Sequence, residues 1–190
     1  MRLVVVLVLV TACVPYAVPP ITADLGASRT TERGTRTGLH VNAGFSPMHF
    51  SQAQSRTRMW DATIGGSFDR EANRDTWGAS LAAGPVLYPW GREAKRTSVD
   101  RFLPQLVGRW TTDGTALGVR LALERAIFAN GSGTGDGNGF AGYGEGAFGF
   151  YVEADLRRGD DMSHEREWAV TAGITLRSPA IAGVVCCLGL

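Results

Sequence analysis

Apolar and polar residues alternate one by one along most of this chain, and this pattern constrains the fold more than any other feature. In residues 39–45, apolar side chains occupy the odd positions and polar or small side chains the even ones. The alternation returns in several later segments, over residues 60–69, 77–87, 101–110, 148–157 and 168–177. Because successive side chains of a strand point to opposite faces, each segment predicts a strand with one apolar face.

Residues 115–128 fit two kinds of secondary structure. Leu117, Val119 and Leu121 alternate with polar or small residues, which indicates a strand. The content of Ala, Leu, Glu and Arg is also typical of a helix. We favour a strand because the segments on either side are strands.

The predicted strands follow one another through turns, and residues 180–190 are apolar enough to add a further one. A meander of about eight long strands closes most naturally on itself, because closure removes unpaired edges. Many of the 25 glycines lie inside apolar segments, as at the bends of a barrel. The expected fold is therefore all-β, an antiparallel up-and-down β-barrel of about eight strands.

The first residues have the layout of an export signal. Arg2 precedes a short apolar run over residues 3–10, which is far below the roughly 20 residues that a membrane-spanning helix needs. The run leads into Val10-Thr11-Ala12-Cys13, which resembles the lipobox of bacterial lipoproteins. This resemblance implies cleavage after Ala12 and attachment of diacylglycerol and an acyl group such as palmitate at Cys13. With Val14 following the cysteine, it also implies the outer membrane as destination.

An ordinary signal peptide, cleaved after Ala17 or Ala23, is the alternative for this segment. Under the lipoprotein interpretation, residues 1–12 are the signal peptide and residues 13–37 are the lipidated cysteine and a flexible tether. The tether is expected because prolines deny a helix there and the remaining residues show no periodicity. Residues 38–190 then form the barrel domain.

Two kinds of barrel fit the alternation. A soluble lipocalin-like barrel, tethered by lipid, places its apolar face inwards around a hydrophobic ligand, whereas a transmembrane barrel places that face towards lipid. Strand lengths and the aromatic residues at strand ends favour the transmembrane barrel; these residues are Trp60, Trp77, Tyr88, Trp90, Trp110, Phe128, Phe140 and Trp168. In this pattern the chain is similar to small eight-stranded outer-membrane β-barrel proteins. The final Leu190, in place of the aromatic residue common in such proteins, keeps the soluble alternative open.

The polar face carries charges of both signs. An eight-stranded barrel is narrow enough for side chains to fill, so these charges are predicted to pair as a network on the polar face or in the lumen. The predicted members are Arg101, Arg109, Arg120, Glu124, Glu145, Glu153 and Asp155.

Catalytic and binding motifs are weak. His40 or His49 with Ser46 or Ser51 suggests a lipid hydrolase as a third hypothesis, but no spacing defines a third catalytic group, and we expect no enzymatic activity. The glycine-rich run 130–139 lacks the lysine of a phosphate loop and is expected to be a mobile hairpin loop.

Partners follow from charge and composition. A net charge of +1 gives no case for nucleic acid. Cys186 and Cys187 have no second pair of ligands for a metal, so we expect neither metal nor cofactor. The expected partners are membrane lipid through Cys13 and, in the ligand-binding alternatives, a hydrophobic small molecule.

Overall fold

The computed structural model describes residues 13–18, 21–30, 36–46, 59–71, 74–91, 98–135, 138–159 and 166–187. All regular structure in these residues is β-strand. The strands are β1 (Cys13–Val18), β2 (Ile21–Thr30), β3 (Arg36–Phe45), β4 (Trp60–Glu71), β5 (Arg74–Pro85), β6 (Ser98–Thr111), β7 (Gly114–Gly135), β8 (Asn138–Gly159) and β9 (Arg166–Cys187). Among these residues no helix is long and apolar enough to cross a membrane.

The strands close into an eight-stranded antiparallel barrel. Each strand from β2 to β9 pairs with the next in the chain, and β9 returns to pair with β2. β1 and β2 both lie along the same edge of β9, β2 against Ala169–Arg177 within the barrel and β1 against Ile181–Cys186 beyond it. The expected all-β up-and-down barrel is confirmed, and residues 115–128 are strand rather than helix.

The two ends of the barrel differ, and we call them the turn end and the terminal end. At the turn end, β6 passes to β7 through Thr112 and Asp113, and Gly114 follows with a φ of 137°. That conformation favours glycine, and a Cβ there would collide with the carbonyl oxygen of Arg158. At the opposite, terminal end, β2 begins. There the last part of β7, the first part of β8 and the last part of β9 continue beyond the barrel.

The prediction of a loop over residues 130–139 is wrong for most of that run. β7 continues to Gly135 and β8 begins at Asn138, and the two pair throughout as a long hairpin. Glycine and asparagine favour turns, but here the pairing of β7 with β8 continues from the barrel through these residues without a change of register. The pairing of β8 with β9 shifts between Glu145 and Ala147, where the barrel passes into this extension.

The prediction that residues 13–37 form a flexible tether is also wrong, because residues 21–30 are barrel strand β2. Ile21, Ala23, Leu25 and Ala27 alternate with polar or glycine positions, so the strand pattern is present there. Small alanines make the pattern weak, and the preceding Pro19 and Pro20 suggest a break. The barrel therefore begins at Ile21 rather than at residue 38.

Candidate functional site

The outer surface of the barrel is apolar. Along β7, for example, Leu117, Val119, Leu121 and Leu123 are 70, 48, 46 and 44% exposed. Other exposed apolar side chains on this surface are Ile21, Leu25, Leu39, Phe45, Ile64, Leu81, Leu106, Phe148, Phe150, Val152, Val170, Ile174 and Leu176. A water-soluble protein rarely exposes so continuous an apolar surface.

Tryptophans border this surface at both ends. Trp77, Trp110 and Trp168 lie at strand ends near the turn end, and Trp60 and Trp90 lie towards the terminal end. All five are more than half exposed. The remaining aromatic residues predicted for the girdles differ: Tyr88 is half-buried, Phe128 is buried inside the barrel, and the side chain of Phe140 lies outside the described residues.

The inside of the barrel is polar and charged. The structure places all seven residues of the predicted network there, each at most 5% exposed. It brings them together with ionisable residues that the sequence analysis did not assign to the network: Asp24, His40, Asp61, Asp69, Glu71, Arg157 and Arg177. All of these also occupy polar positions in alternating segments, which is the one sequence signal that identifies them.

Near the terminal end, Arg177 joins two acids from distant strands. Its Nη2 donates to Asp61 Oδ2 at 2.7 Å, and its Nε lies 3.0 Å from Glu124 Oε2. Arg101 donates to Glu145 at 2.6 Å. All of these side chains are buried and therefore lose contact with water. The oppositely charged partner compensates for the hydration that each charge loses.

The middle of the interior is crossed by a two-point ion pair. Arg120 donates through Nη1 and Nη2 to the two carboxylate oxygens of Asp24, at 2.5 and 2.8 Å. Asn42 also donates to Asp24, at 3.1 Å, and Ser80 donates to Asn42 at 2.7 Å. The guanidinium lies 4.1 Å from the centre of the Tyr151 ring, a cation–π distance.

Towards the turn end, Arg109 donates to both Glu153 and Asp155. His40 Nδ1 lies 2.7 Å from Asp69 Oδ1. Its Nε2 lies 3.4 Å from Nη2 of Arg109, which donates only. The histidine is therefore a structural bridge in which Nδ1 carries the proton that is donated to Asp69.

Arg157 completes this cluster, with its Nη1 donating to Glu71 Oε1 at 2.7 Å and its Nε to Asp155 Oδ1 at 3.2 Å. Since β4 supplies Glu71 and β8 supplies Arg157, the ion pairs here also span the interior.

The histidine–serine arrangement of the hydrolase hypothesis is not assembled by the described residues. His40 contacts Asp69 and Arg109, whereas Ser46 Oγ donates to Asp61 at 3.1 Å, towards the other end. His49, Ser51 and His164 lie outside the described residues. In the described part of the chain, no group of three or more His, Cys, Asp or Glu side chains is arranged to hold a metal ion.

The backbone of Cys13 begins β1, with Cys186 as its Cα partner in β9. The side chains of both cysteines and of Cys187 lie outside the described residues. Several buried polar atoms inside the barrel, including Nε of Arg101, Arg109 and Arg120, have no hydrogen-bond partner within the described part of the chain.

Comparisons of the chain with protein-family models, with curated proteins and with solved structures give no match.

Proposed function

We propose that the protein is an outer-membrane lipoprotein that crosses the bilayer as a closed barrel and has a structural, non-enzymatic role. One observation carries this proposal: apolar side chains cover the outside of the barrel while charged and polar side chains fill the inside. An apolar outer surface is favourable in contact with lipid. The charged inner surface is stabilised because its side chains pair with one another. The girdles of tryptophan at both ends match the headgroup depth of a bilayer.

The height of the apolar surface supports a spanning orientation. On β7 it is bounded by Thr115 near the turn end and by the exposed Arg125–Asp100 ion pair near the terminal end. With about 3.4 Å per residue and a strand tilt of about 40°, the segment from Thr115 to Arg125 rises about 26 Å. The apolar band of outer-membrane barrels is about 25 Å tall.

The interior argues against the soluble alternative. Most of its buried apolar residues in the described part of the chain belong to two small clusters, one around Leu103 and Tyr151 and one around Ala126 and Phe128. Burial of apolar surface is the main force that folds a protein in water. In water this barrel would expose most of the large apolar side chains that the structure describes and bury its ions. The described side chains thus form neither the core of a soluble fold nor an apolar chamber for a ligand.

The proposed role is structural because the lumen is blocked. Arg177, Arg120 and Arg109 each reach across to carboxylates of other strands, at three successive depths. An eight-stranded barrel leaves little more room than its side chains occupy. We therefore expect no open aqueous pore through the protein.

Solubility separates the proposal from a tethered soluble barrel. The Cys13→Ala variant removes the predicted lipidation site and leaves the barrel intact. We expect it to stay in the membrane fraction at alkaline pH, to need detergent for extraction, and to migrate faster on a gel unheated than boiled. A folded Cys13→Ala protein that is released without detergent would overturn the spanning proposal.

Conductance tests the structural role separately. Purified protein in planar bilayers is expected to give no steady ion current. A regular single-channel current that disappears with heat denaturation would overturn the closed-lumen part of the proposal and leave the membrane-spanning part standing.

A further inference from the structure

A groove of about 580 Å³ lies on the outer surface of the barrel near its turn end. Leu81, Leu106 and Leu117 line its apolar part, beside Trp110. Gly108 lies among them, with Leu81 and Leu117 as its Cα partners in the neighbouring strands. A Cβ on Gly108 would contact only ring carbons of Trp110, at 3.5 and 3.8 Å. The absence of a side chain at Gly108 thus opens the groove between larger apolar neighbours.

Two exposed arginines close the groove at the turn end. Arg158 and Arg166 both line it and are direct Cα partners in β8 and β9. Thr115 and Trp110 continue the same row across β7 and β6. Like charges that face each other across a strand pair destabilise a sheet. Within the described strands neither guanidinium pairs with a carboxylate, so an anion bound between them would relieve their repulsion.

We propose that this groove binds one anionic lipid of the surrounding bilayer. Its headgroup phosphate contacts Arg158 and Arg166, and one acyl chain lies over Gly108 between Leu106 and Leu117. This inference rests on the proposed membrane-spanning role, because only then does the groove face lipid.

Three properties of the groove fit this occupant. Guanidinium groups bind phosphate through paired hydrogen bonds, and two adjacent arginines provide several donors. Trp110 lies at the border of the apolar surface, where headgroups begin. The volume lies within the range of about 300–1,000 Å³ that is usual for small-molecule sites. A free phosphate would use the arginines alone, whereas a lipid uses the arginines and the apolar floor together.

Native mass spectrometry of the full-length protein, released from detergent micelles, measures the binding. The probes are phosphatidylglycerol and phosphatidylcholine with identical acyl chains, and inorganic phosphate. We expect one phosphatidylglycerol to bind in preference to phosphatidylcholine. Loss of a charged hydrogen-bond pair in Arg158→Gln/Arg166→Gln is expected to weaken phosphatidylglycerol binding about tenfold or more.

Two further variants separate the parts of the site. Arg29→Gln/Arg70→Gln removes the same charge from two exposed arginines at the turn end, away from the groove, and is expected to bind phosphatidylglycerol like the wild type. Gly108→Leu fills the groove and keeps both arginines, and it is expected to lose phosphatidylglycerol binding.

Equal losses in the two double-arginine variants would overturn the site, since they would indicate general charge attraction. Inorganic phosphate binding that is as tight as lipid binding and unaffected by Gly108→Leu would overturn the lipid assignment. A stable, detergent-requiring barrel without lipid preference would overturn this inference alone. A protein that is soluble without detergent would instead overturn the proposed function.

Discussion

Arg120 and Asp24 form a two-point ion pair across the inside of the barrel, although 96 residues separate them in the chain. β2 brings Asp24 to this position and β7 brings Arg120. Both side chains are buried, and the pair lies at the middle of a network that continues towards both ends.

Breaking this pair from one side is expected to destabilise the barrel strongly. Arg120→Met leaves the buried Asp24 carboxylate without the cation that now pairs with it, at a cost of about 3–5 kcal/mol. The free energy of unfolding, measured by urea titration in lipid vesicles, tests this. The double variant Asp24→Leu/Arg120→Met removes both charges and is expected to recover much of the loss.

Arg125→Ala is the matched control, because Arg125 is on the same strand and pairs with Asp100 at 2.7 Å on the exposed surface. Exposed pairs contribute little to stability, because water and salt screen them. A loss in Arg120→Met no larger than that in Arg125→Ala would contradict a stabilising role for the interior network.

The stability cost of a new charge on the outer surface is expected to depend on its depth in the bilayer if lipid covers that surface. Leu121 and Ile127 both face outwards on β7 and are 46 and 48% exposed, so a water-covered surface would accept arginine equally at both. In a bilayer, Leu121→Arg lies near the middle of the apolar surface and is expected to cost about 2–4 kcal/mol, and Ile127→Arg about 0–1. Refolding into vesicles measures the difference, and equal values for the two variants would rule out a membrane-spanning orientation.

A side chain at Gly26 is expected to destabilise the barrel, because the Tyr151 hydroxyl lies where its Cβ would be. A Cβ at Gly26 would lie 2.5 Å from Tyr151 Oη and 2.9 Å from the carbonyl oxygen of Ala172. We expect Gly26→Ala to lower the unfolding free energy by about 1–3 kcal/mol, and Tyr151→Phe to relieve part of that loss in the double variant. Gly66→Ala is the control, since its Cβ would meet only Gly78 O, at 3.6 Å. A neutral Gly26→Ala would show that the ring moves aside freely.

Lipidation at Cys13 is expected to release β1 from β9. Cys13 begins β1 opposite Cys186, and the pairing of β9 with β2 ends at Arg177, so Cys13 lies nine residues of β9, roughly 30 Å of strand, beyond the barrel. Acyl chains on Cys13 would have to return over that distance to enter the bilayer around the barrel.

Mass spectrometry of the mature N-terminus identifies the lipid, and an N-terminus at Val18 or Asp24 would instead indicate an ordinary signal peptide.

Hydrogen exchange tests the release of β1. In lipidated protein, the amides of β9 that face β1 over Ile181–Cys186 are expected to exchange fast, while those that face β8 stay protected. Unlipidated Cys13→Ser protein is the control and is expected to protect both sets. Full protection in the lipidated form would mean that β1 stays docked.

Local pattern predicted most of the strands, and its failures have identifiable causes. β4 to β6 follow from alternation that is strong and uninterrupted. β2 was missed because two of its apolar positions are alanine, and the far part of the β7–β8 hairpin because glycine and asparagine usually mark loops. In both cases pairing with a neighbouring strand outweighs weak local preference.

The sequence predicts several members of the interior network, but it does not predict which of them pair with one another. The alternation of Leu121 and Leu123 with Ala122 and Glu124, for example, predicts Glu124 on the polar face, yet its partner Arg177 comes from β9, 53 residues later. Closure of the barrel and the register of each pair bring such residues together, and no local spacing encodes either.

The sequence by itself determined which residues share a face, because the period of a strand is two and depends only on neighbouring positions. The tertiary structure decided that the apolar face is outside, because the same alternation fits a strand turned either way. It also decided that Asp24 meets Arg120, because closure of the barrel opposes side chains from strands that are not neighbours. The sequence thus determines which residues form the apolar and the polar face of each strand. Closure of the barrel determines which face lies outside and which side chains pair inside.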